Sequence, residues 1–249
     1  MLIDSHCHIH EANYPMDIGD VIKRAHEAGV GKLICVGTSE QSSREAIEFA
    51  ARHENIYASI GVHPHDSKDG YGQIETMFGA EHLVAVGEIG LDYYYAHSPR
   101  EVQIAALEAQ IDLALSHNLP IIFHVRDAFD DFWPVFDNFH IKKAVIHSFT
   151  DNQQNLEQAL ARDLYVGING ISTFTKSADQ QAVFASIPLH KLLLETDAPF
   201  LTPVPYRGKV NEPAFVRQVA EHQATIRGLS IDEIAAQTTA NANSLFALN

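Results

Sequence analysis

The sequence predicts a single-domain (β/α)8 barrel of TIM type spanning residues 1–249, on three observations. Eight strand-sized apolar runs recur along the chain, helical patterns alternate with them, and the polar residues that end the runs are repeatedly histidine or carboxylate. The runs are Leu2 to His8, Leu33 to Gly37, Tyr57 to His63, Leu83 to Gly90, Pro120 to Val125, Lys143 to Ser148, Leu164 to Gly170 and Leu192 to Thr196. Their starts lie on average roughly 27 residues apart, room for one strand, one helix and two short loops. Several lack the alternation of a half-exposed sheet, as parallel strands buried on both faces do.

Taken in order, the first run is followed by Ile18, Val21, Ile22, Ala25 and Ala28, which line one helical face that Gly29 ends. Between the third and fourth runs, residues 70–80 carry only a weak helical pattern. After the fourth, Ser98-Pro99-Arg100-Glu101 predicts an N-cap serine, a proline at the first helical position and a capping glutamate. Ile104, Leu107, Ile111, Ala114 and Leu115 then form the predicted buried face. Phe129, Phe132, Trp133 and Phe136 follow the fifth run at helical spacing, which makes them core. Ser230 to Glu233 repeats the capping box before a last helix. No Ser/Gly linker or charge block marks a second domain. A doubly wound open sheet is the alternative, but it concentrates ligands at one or two crevices instead of spreading them over many strand ends.

Composition narrows the function. With 32 acidic and 17 basic residues the chain carries a net charge of −15, which repels polyphosphates at long range. A stable nucleic-acid complex is therefore not expected, whereas a transient substrate in a cation-lined cleft is compatible. Cys7 and Cys35 lie in apolar runs and read as buried thiols. The chain opens Met-Leu-Ile-Asp-Ser-His, without a basic segment and apolar run, and no stretch reaches membrane-span length, so a soluble cytoplasmic protein is expected.

In such a barrel the chemistry sits at the C-terminal ends of the strands. The residues there are His6 and His8, His63 and His65, Glu88 and Asp92, His124 and Arg126, His147, then Glu195 and Asp197. In Asp4-Ser5-His6-Cys7-His8 the two imidazoles, two apart on a strand, point to one side and form a pair of nitrogen ligands. His124 and His147 add two more. Glu88 and Asp197 follow apolar strands, where a carboxylate needs a partner and a cation serves as one. His63 and His65 either donate to phosphate or cap their loop. Arg126, Arg207 and Lys209 offer donors to phosphate, with surface pairing as the alternative for the last two. Asp92 and Glu195 either orient a ligand or hold a loop. Tyr93, Tyr94, Tyr95, Phe149, Phe174 and Phe200 stack on bases or pack beneath loops.

These segments resemble the TatD family of metal-dependent hydrolases. The resemblance runs through Asp4-Ser5-His6-Cys7-His8, Gly61-Val62-His63-Pro64-His65, Val86-Gly87-Glu88-Ile89-Gly90-Leu91-Asp92-Tyr93 and His124-Val125-Arg126. It continues with His147-Ser148-Phe149, Glu195-Thr196-Asp197-Ala198-Pro199-Phe200-Leu201, Arg207-Gly208 and Asn211-Glu212-Pro213, covering almost the whole chain. It implies His6, His8, Glu88, His124, His147 and Asp197 as ligands of two divalent cations. On that expectation His6, His8 and Asp197 serve one cation, His124 and His147 the other, Glu88 bridges, and Asp197 also takes a proton from the attacking water. Four imidazoles favour zinc or manganese, and carboxylates with water suit magnesium. The implied reaction is deoxyribonuclease cleavage, with the 3′ end of single-stranded DNA as transient substrate. A binuclear hydrolase of small amides, lactones or aminoacyl esters is the second enzyme reading. A noncatalytic metal- or nucleic-acid-binding protein is the reading from another class.

Overall fold

A computed structural model describes residues 1–248. It contains eight strands: β1 (Leu2–Cys7), β2 (Val30–Val36), β3 (Ile56–Ile60), β4 (Leu83–Asp92), β5 (Ile121–Arg126), β6 (Ala144–Ile146), β7 (Tyr165–Ile168) and β8 (Leu192–Leu194). The helices are α1 (Ile18–Glu27), α2 (Glu40–Ala50), α3 (Arg100–Ser116), α4 (Phe129–Phe136), α5 (Gln153–Ala161), α6 (Ile171–Phe174), α7 (Ala178–Ser186), α8 (Val216–Arg227) and α9 (Ile231–Phe246). Sheet order follows chain order from β1 to β8, the order of a (β/α)8 barrel. The chain packs as two compact units, Cys35–His147 and the remainder.

In the unit formed by Met1–Ile34 and the described residues from Ser148 onward, every residue of β1 is buried, which suits its unbroken apolar and small-polar run. β7 and β8 pair in parallel, Val166 opposite Leu192 and Ile168 opposite Leu194. Ser5 Oγ donates to the Leu194 carbonyl at 3.0 Å, and Cys7 bridges Ala198 in the parallel sense, so β1 runs beside the segment that leaves β8. α1 begins at Asp17, whose side chain accepts from Asp20 N, and buries Val21 and Ala25 as its periodicity predicts. The predicted capping box of α9 is present in full between Ser230 and Glu233.

In the unit Cys35–His147, β4 and β5 pair with Gly90 opposite His124 and Asp92 opposite Arg126, and β5 pairs with β6. Gly90, at φ +155°, is required: a Cβ there would lie 1.8 Å from the His124 carbonyl oxygen. Phe123, Phe132, Phe136 and Trp133 pack as a buried aromatic cluster, as expected of α4. The buried face of α3 differs from the predicted one. Leu115 is 37% exposed, while Gln103 and Gln110 are buried. Gln110 Oε1 accepts from Val62 N at 2.7 Å and its Nε2 donates to the Val62 carbonyl, and Gln103 makes the same pair with the backbone of Asp92. Both side chains thus imitate a neighbouring strand at the ends of β3 and β4, which a hydrophobic pattern cannot register. The predicted cap of α3 is also corrected, since the helix is capped at Pro99 and the Ser98 hydroxyl donates to the His65 carbonyl instead. Residues 70–80 hold only a short 3-10 turn, Ile74–Met77. Cys7 and Cys35 are buried thiols.

Candidate metal centre

β1 delivers His6 and His8 to the same side, as the two-residue strand period demands, with their Nε2 atoms 3.1 Å apart. The Asp197 carboxylate arrives from the segment after β8, its Oδ1 3.3 Å from His8 Nε2 and 3.7 Å from His6 Nε2. Backbone bonds clasp the two segments: Asp197 N donates to the His6 carbonyl at 2.9 Å and His8 N to the Ala198 carbonyl at 2.8 Å. Beneath them Asp4, fully buried, accepts from His6 N, Thr196 N and Thr196 Oγ1. Burial pushes the Asp4 carboxyl up to about 8, against the pull of those hydrogen bonds. Asp4 and Thr196 therefore tie the histidine pair to Asp197 from below. Asn211, also buried, donates to the Thr196 and Phe200 carbonyls and closes the loop behind Asp197.

The unit Cys35–His147 assembles a second cluster. Glu88 on β4 has its Oε1 2.7 Å from His147 Nε2 and 2.8 Å from His124 Nδ1, and these two nitrogens lie 3.2 Å apart. The other nitrogen of His124 meets Asp92 Oδ2 at 2.9 Å. The Asp92 carboxyl is held below the usual carboxylate range: burial opposes this, but hydrogen bonds from His124 and the Tyr95 N–H outweigh it. An ionised carboxylate only accepts, so Asp92 fixes the proton of His124 on Nε2 and leaves Nδ1 toward Glu88 and His147. Burial lowers the basicity of His124, yet its bonds to Asp92 and Glu88 raise the pKa overall. With Nε2 facing Asp92, Nδ1 is the nitrogen turned toward Glu88 and His147, where it would serve as the ligand atom.

The donor chemistry fits metal in both clusters. His6, His8 and Asp197 each offer a ligand atom within 4.8 Å of the others, and the Glu88, His124 and His147 atoms converge as closely. Nitrogen and carboxylate oxygen are the ligands of zinc and manganese sites, and a histidine whose far nitrogen is held by a carboxylate is the usual supported ligand.

The other expected residues divide. His63 is buried with Nε2 3.6 Å from Glu88 Oε1, and its Nδ1 accepts from His65 N, which leaves Nε2 as the donor of the neutral ring. Burial first, then the neighbouring His124, hold its pKa well below the ordinary value. His65 stands 3.1 Å from Asp92 Oδ2 and is likewise lowered by burial. Arg126 lies over the Tyr94 and Tyr95 rings, and Arg207 lies over Phe174 while donating to the Thr202 carbonyl. Glu195 accepts from Ser148 N at 2.6 Å, consistent with holding the loop after β6. Phe149 is buried, whereas Phe200 is 58% exposed with its ring 6.5 Å from that of His8. Among the three tyrosines, Tyr93 is a packing residue, bonded to Asp131 and covered by Arg100. His10 was not expected: it is buried with its ring 6.3 Å from that of His8, and the His6-His8-His10 alternation carried that signal. No helix among the described residues is long and apolar enough to cross a membrane.

The comparisons with known proteins agree with this chemistry. The family model described as TatD related DNase matches residues 3–247. The chain is 37% identical to the metal-dependent hydrolase YabD of Bacillus subtilis, covering 100% of both chains. It is 34% identical to a 3′-5′ ssDNA/RNA exonuclease TatD of Erwinia amylovora, with 99% of this chain and 100% of that one covered. The crystal structure of the TatD homolog YJJV of Escherichia coli superimposes with a TM-score of 0.93 at 29% identity, over 100% of this chain and 98% of the other. With nearly the whole chain matched, the protein belongs to the TatD family of metal-dependent hydrolases.

Proposed function

We propose that the chain works as one cytoplasmic hydrolase unit over residues 1–249 that uses two divalent cations to release nucleotides from the 3′ end of single-stranded DNA. The observation that carries this reading is the pair of nitrogen and carboxylate clusters at the strand ends, on a chain 34% identical to a 3′-5′ ssDNA/RNA exonuclease. His6, His8 and Asp197 would hold one cation, and His124, His147 and Glu88 the other. Manganese, magnesium and zinc all suit these donors. When bound, such cations lower the pKa of water and stabilise charge on phosphoryl and leaving oxygens. Asp197, its carboxylate 15% exposed, takes the proton of the attacking water. His63, neutral at pH 7 because burial depresses its pKa, offers an N–H to a phosphoryl oxygen. Arg126 and Arg207 contact the substrate's other phosphates. The nucleic acid is a transient substrate, in keeping with the net charge of −15, and Cys7 and Cys35 as thiols suit a reducing compartment.

The test is metal-free protein recharged with magnesium, manganese or zinc and supplied with end-labelled single-stranded DNA, duplex DNA, RNA and small carboxylic esters. Stepwise loss from the 3′ end of the single strand, with up to two ions bound per chain, is expected. Turnover of esters without cleavage of any phosphodiester would transfer the reading to carbonyl hydrolysis. Asp197→Asn separates ligand from base: fully metallated, it should retain less than about 1% of turnover, since proton transfer contributes about 10²–10⁴-fold. Near-normal turnover at full occupancy would remove Asp197 as the base.

A further inference from the structure

The segment Asp92-Tyr93-Tyr94-Tyr95 carries one locked tyrosine and two exposed ones. Tyr94 is 59% and Tyr95 51% exposed, among the few large apolar side chains so placed. Arg126 lays its guanidinium over both, 4.0 Å from the Tyr94 centroid and 4.9 Å from that of Tyr95. His97 stacks parallel to Tyr95 at 5.7 Å and 5°, and Tyr95 meets His65 edge to face at 5.4 Å. A chain of ring contacts, edge to face from His65 to Tyr95 and from Tyr95 to Tyr94, therefore leads outward with a guanidinium held against it.

The position of this surface is tied to the metal ligands by one side chain. Asp92 Oδ1 accepts from both Tyr94 N and Tyr95 N at 3.0 Å, while Oδ2 faces His124 Nε2 at 2.9 Å and His65 Nε2 at 3.1 Å. The same buried carboxylate orients a ligand and fixes the tyrosine backbone, so the platform keeps its distance from His124. A surface patch without function has no need of that link.

We propose that Tyr94, Tyr95 and Arg126 form a nucleotide subsite, in which a base of the substrate strand stacks on one of the two exposed tyrosine rings, which stand edge to face at 85°, and the guanidinium takes the adjoining phosphate. This rests on the nuclease reading and names what recognises the strand. The chemistry favours a nucleotide over an apolar partner, because a stacked guanidinium keeps its in-plane N–H donors directed outward, where they match phosphate oxygens. Stacking also suits a chain of net charge −15, since it needs no long-range attraction. Every base has a π face, so the subsite tolerates sequence but requires a base. It also requires an unpaired strand, because bases within a duplex have their faces covered.

The test compares 3′-labelled oligothymidylate with an abasic oligomer of the same length, both cleaved by the manganese-loaded enzyme. The readout is the ratio of KM for the abasic oligomer to KM for oligothymidylate. In the wild type this ratio should be about tenfold or more, the worth of one stacked base. In Tyr94→Ala/Tyr95→Ala it should fall to near one, and Tyr94→Phe/Tyr95→Phe should keep it. Arg126→Gln should raise KM for both oligomers and leave the ratio in place. If the alanine variant fails to fold, Tyr94→Leu/Tyr95→Leu retains apolar bulk without a π face and should lose the ratio equally. A wild-type ratio near one, or a ratio that survives the folded alanine or leucine variant, overturns the subsite. If the wild type cleaves neither oligomer the nuclease reading fails, and the subsite is then judged by titration of tyrosine fluorescence with oligothymidylate. Quenching that the abasic oligomer does not produce would support the subsite, and equal or no quenching would overturn it.

Discussion

The two oxygens of Asp92 face in different directions, one to the Tyr94 and Tyr95 amides and the other to His124 and His65. Asp92→Asn keeps the shape but removes the charge that fixes the His124 proton on Nε2, and an amide nitrogen turned to that position would force the ring to the other tautomer. Manganese affinity should fall about 10–100-fold at one site, the usual effect of losing a ligand's carboxylate support. Calorimetric titration of the metal-free variant checks this, and two unchanged affinities would show that the tautomer is set elsewhere. The candidate ligands were legible because strand geometry makes a pattern of them: His6 and His8 share a face by spacing alone, and Glu88, His124, His147 and Asp197 each lie at the end of an apolar run. His10 continues the same alternation but lies beyond the apolar run, so the strand pattern does not mark it. The pairing of Asp4 with Thr196 was not legible, since it joins residues 192 positions apart.

At the level of elements, α3 shows where a hydrophobic pattern misleads. Its buried face is half polar because Gln103 and Gln110 complete the hydrogen bonding of the ends of β4 and β3. Gln110→Leu would leave the N–H and C=O of Val62 unpaired in a buried setting. Destabilisation of about 2–6 kcal/mol is expected, on a cost of about 1–3 kcal/mol for each of the two unsatisfied groups. Urea denaturation of the metal-free protein measures it, and a loss below about 0.5 kcal/mol would mean that water replaces the amide. The strands themselves were readable to within a few residues, but their ends were not: β4 and β5 extend to Asp92 and Arg126 because these residues pair with each other, a long-range fact. α8 supplies a pH dependence. Burial lowers the pKa of His222, a half-buried residue beside the Ser172 backbone. A depressed folded value means that the unfolded chain binds the proton more readily below about pH 6.5, so stability is present above that pH and is lost on acidification. His222→Gln should therefore flatten the fall in urea midpoint between pH 7 and pH 5. An identical slope in the variant would assign that fall wholly to other groups.

For the whole molecule the dominant quantity is the charge of −15, which sets how a polyanionic strand is approached. A protein that binds nucleic acid through a basic track releases many counterions, and its affinity falls about 10³–10⁵-fold between 50 and 200 mM salt when 6–10 phosphates are contacted. Here the contacts proposed are local: Arg126 on its tyrosines, Arg207 over Phe174, and cations held by the carboxylates and histidines at the strand ends. Screening also weakens the long-range repulsion of the acidic surface, which offsets part of any counterion effect. Both arguments point to a shallow salt dependence. With free manganese held constant, 1/KM for oligothymidylate should fall less than about tenfold between 50 and 200 mM potassium chloride, as one or two neutralised phosphates would give at a slope of about −0.7 each on a single strand. Arg126→Gln should flatten the slope further by about 0.7, the share of one phosphate contact. A wild-type slope steeper than about −3 would reveal an extended cationic track and would displace the local, stacking-led account of recognition.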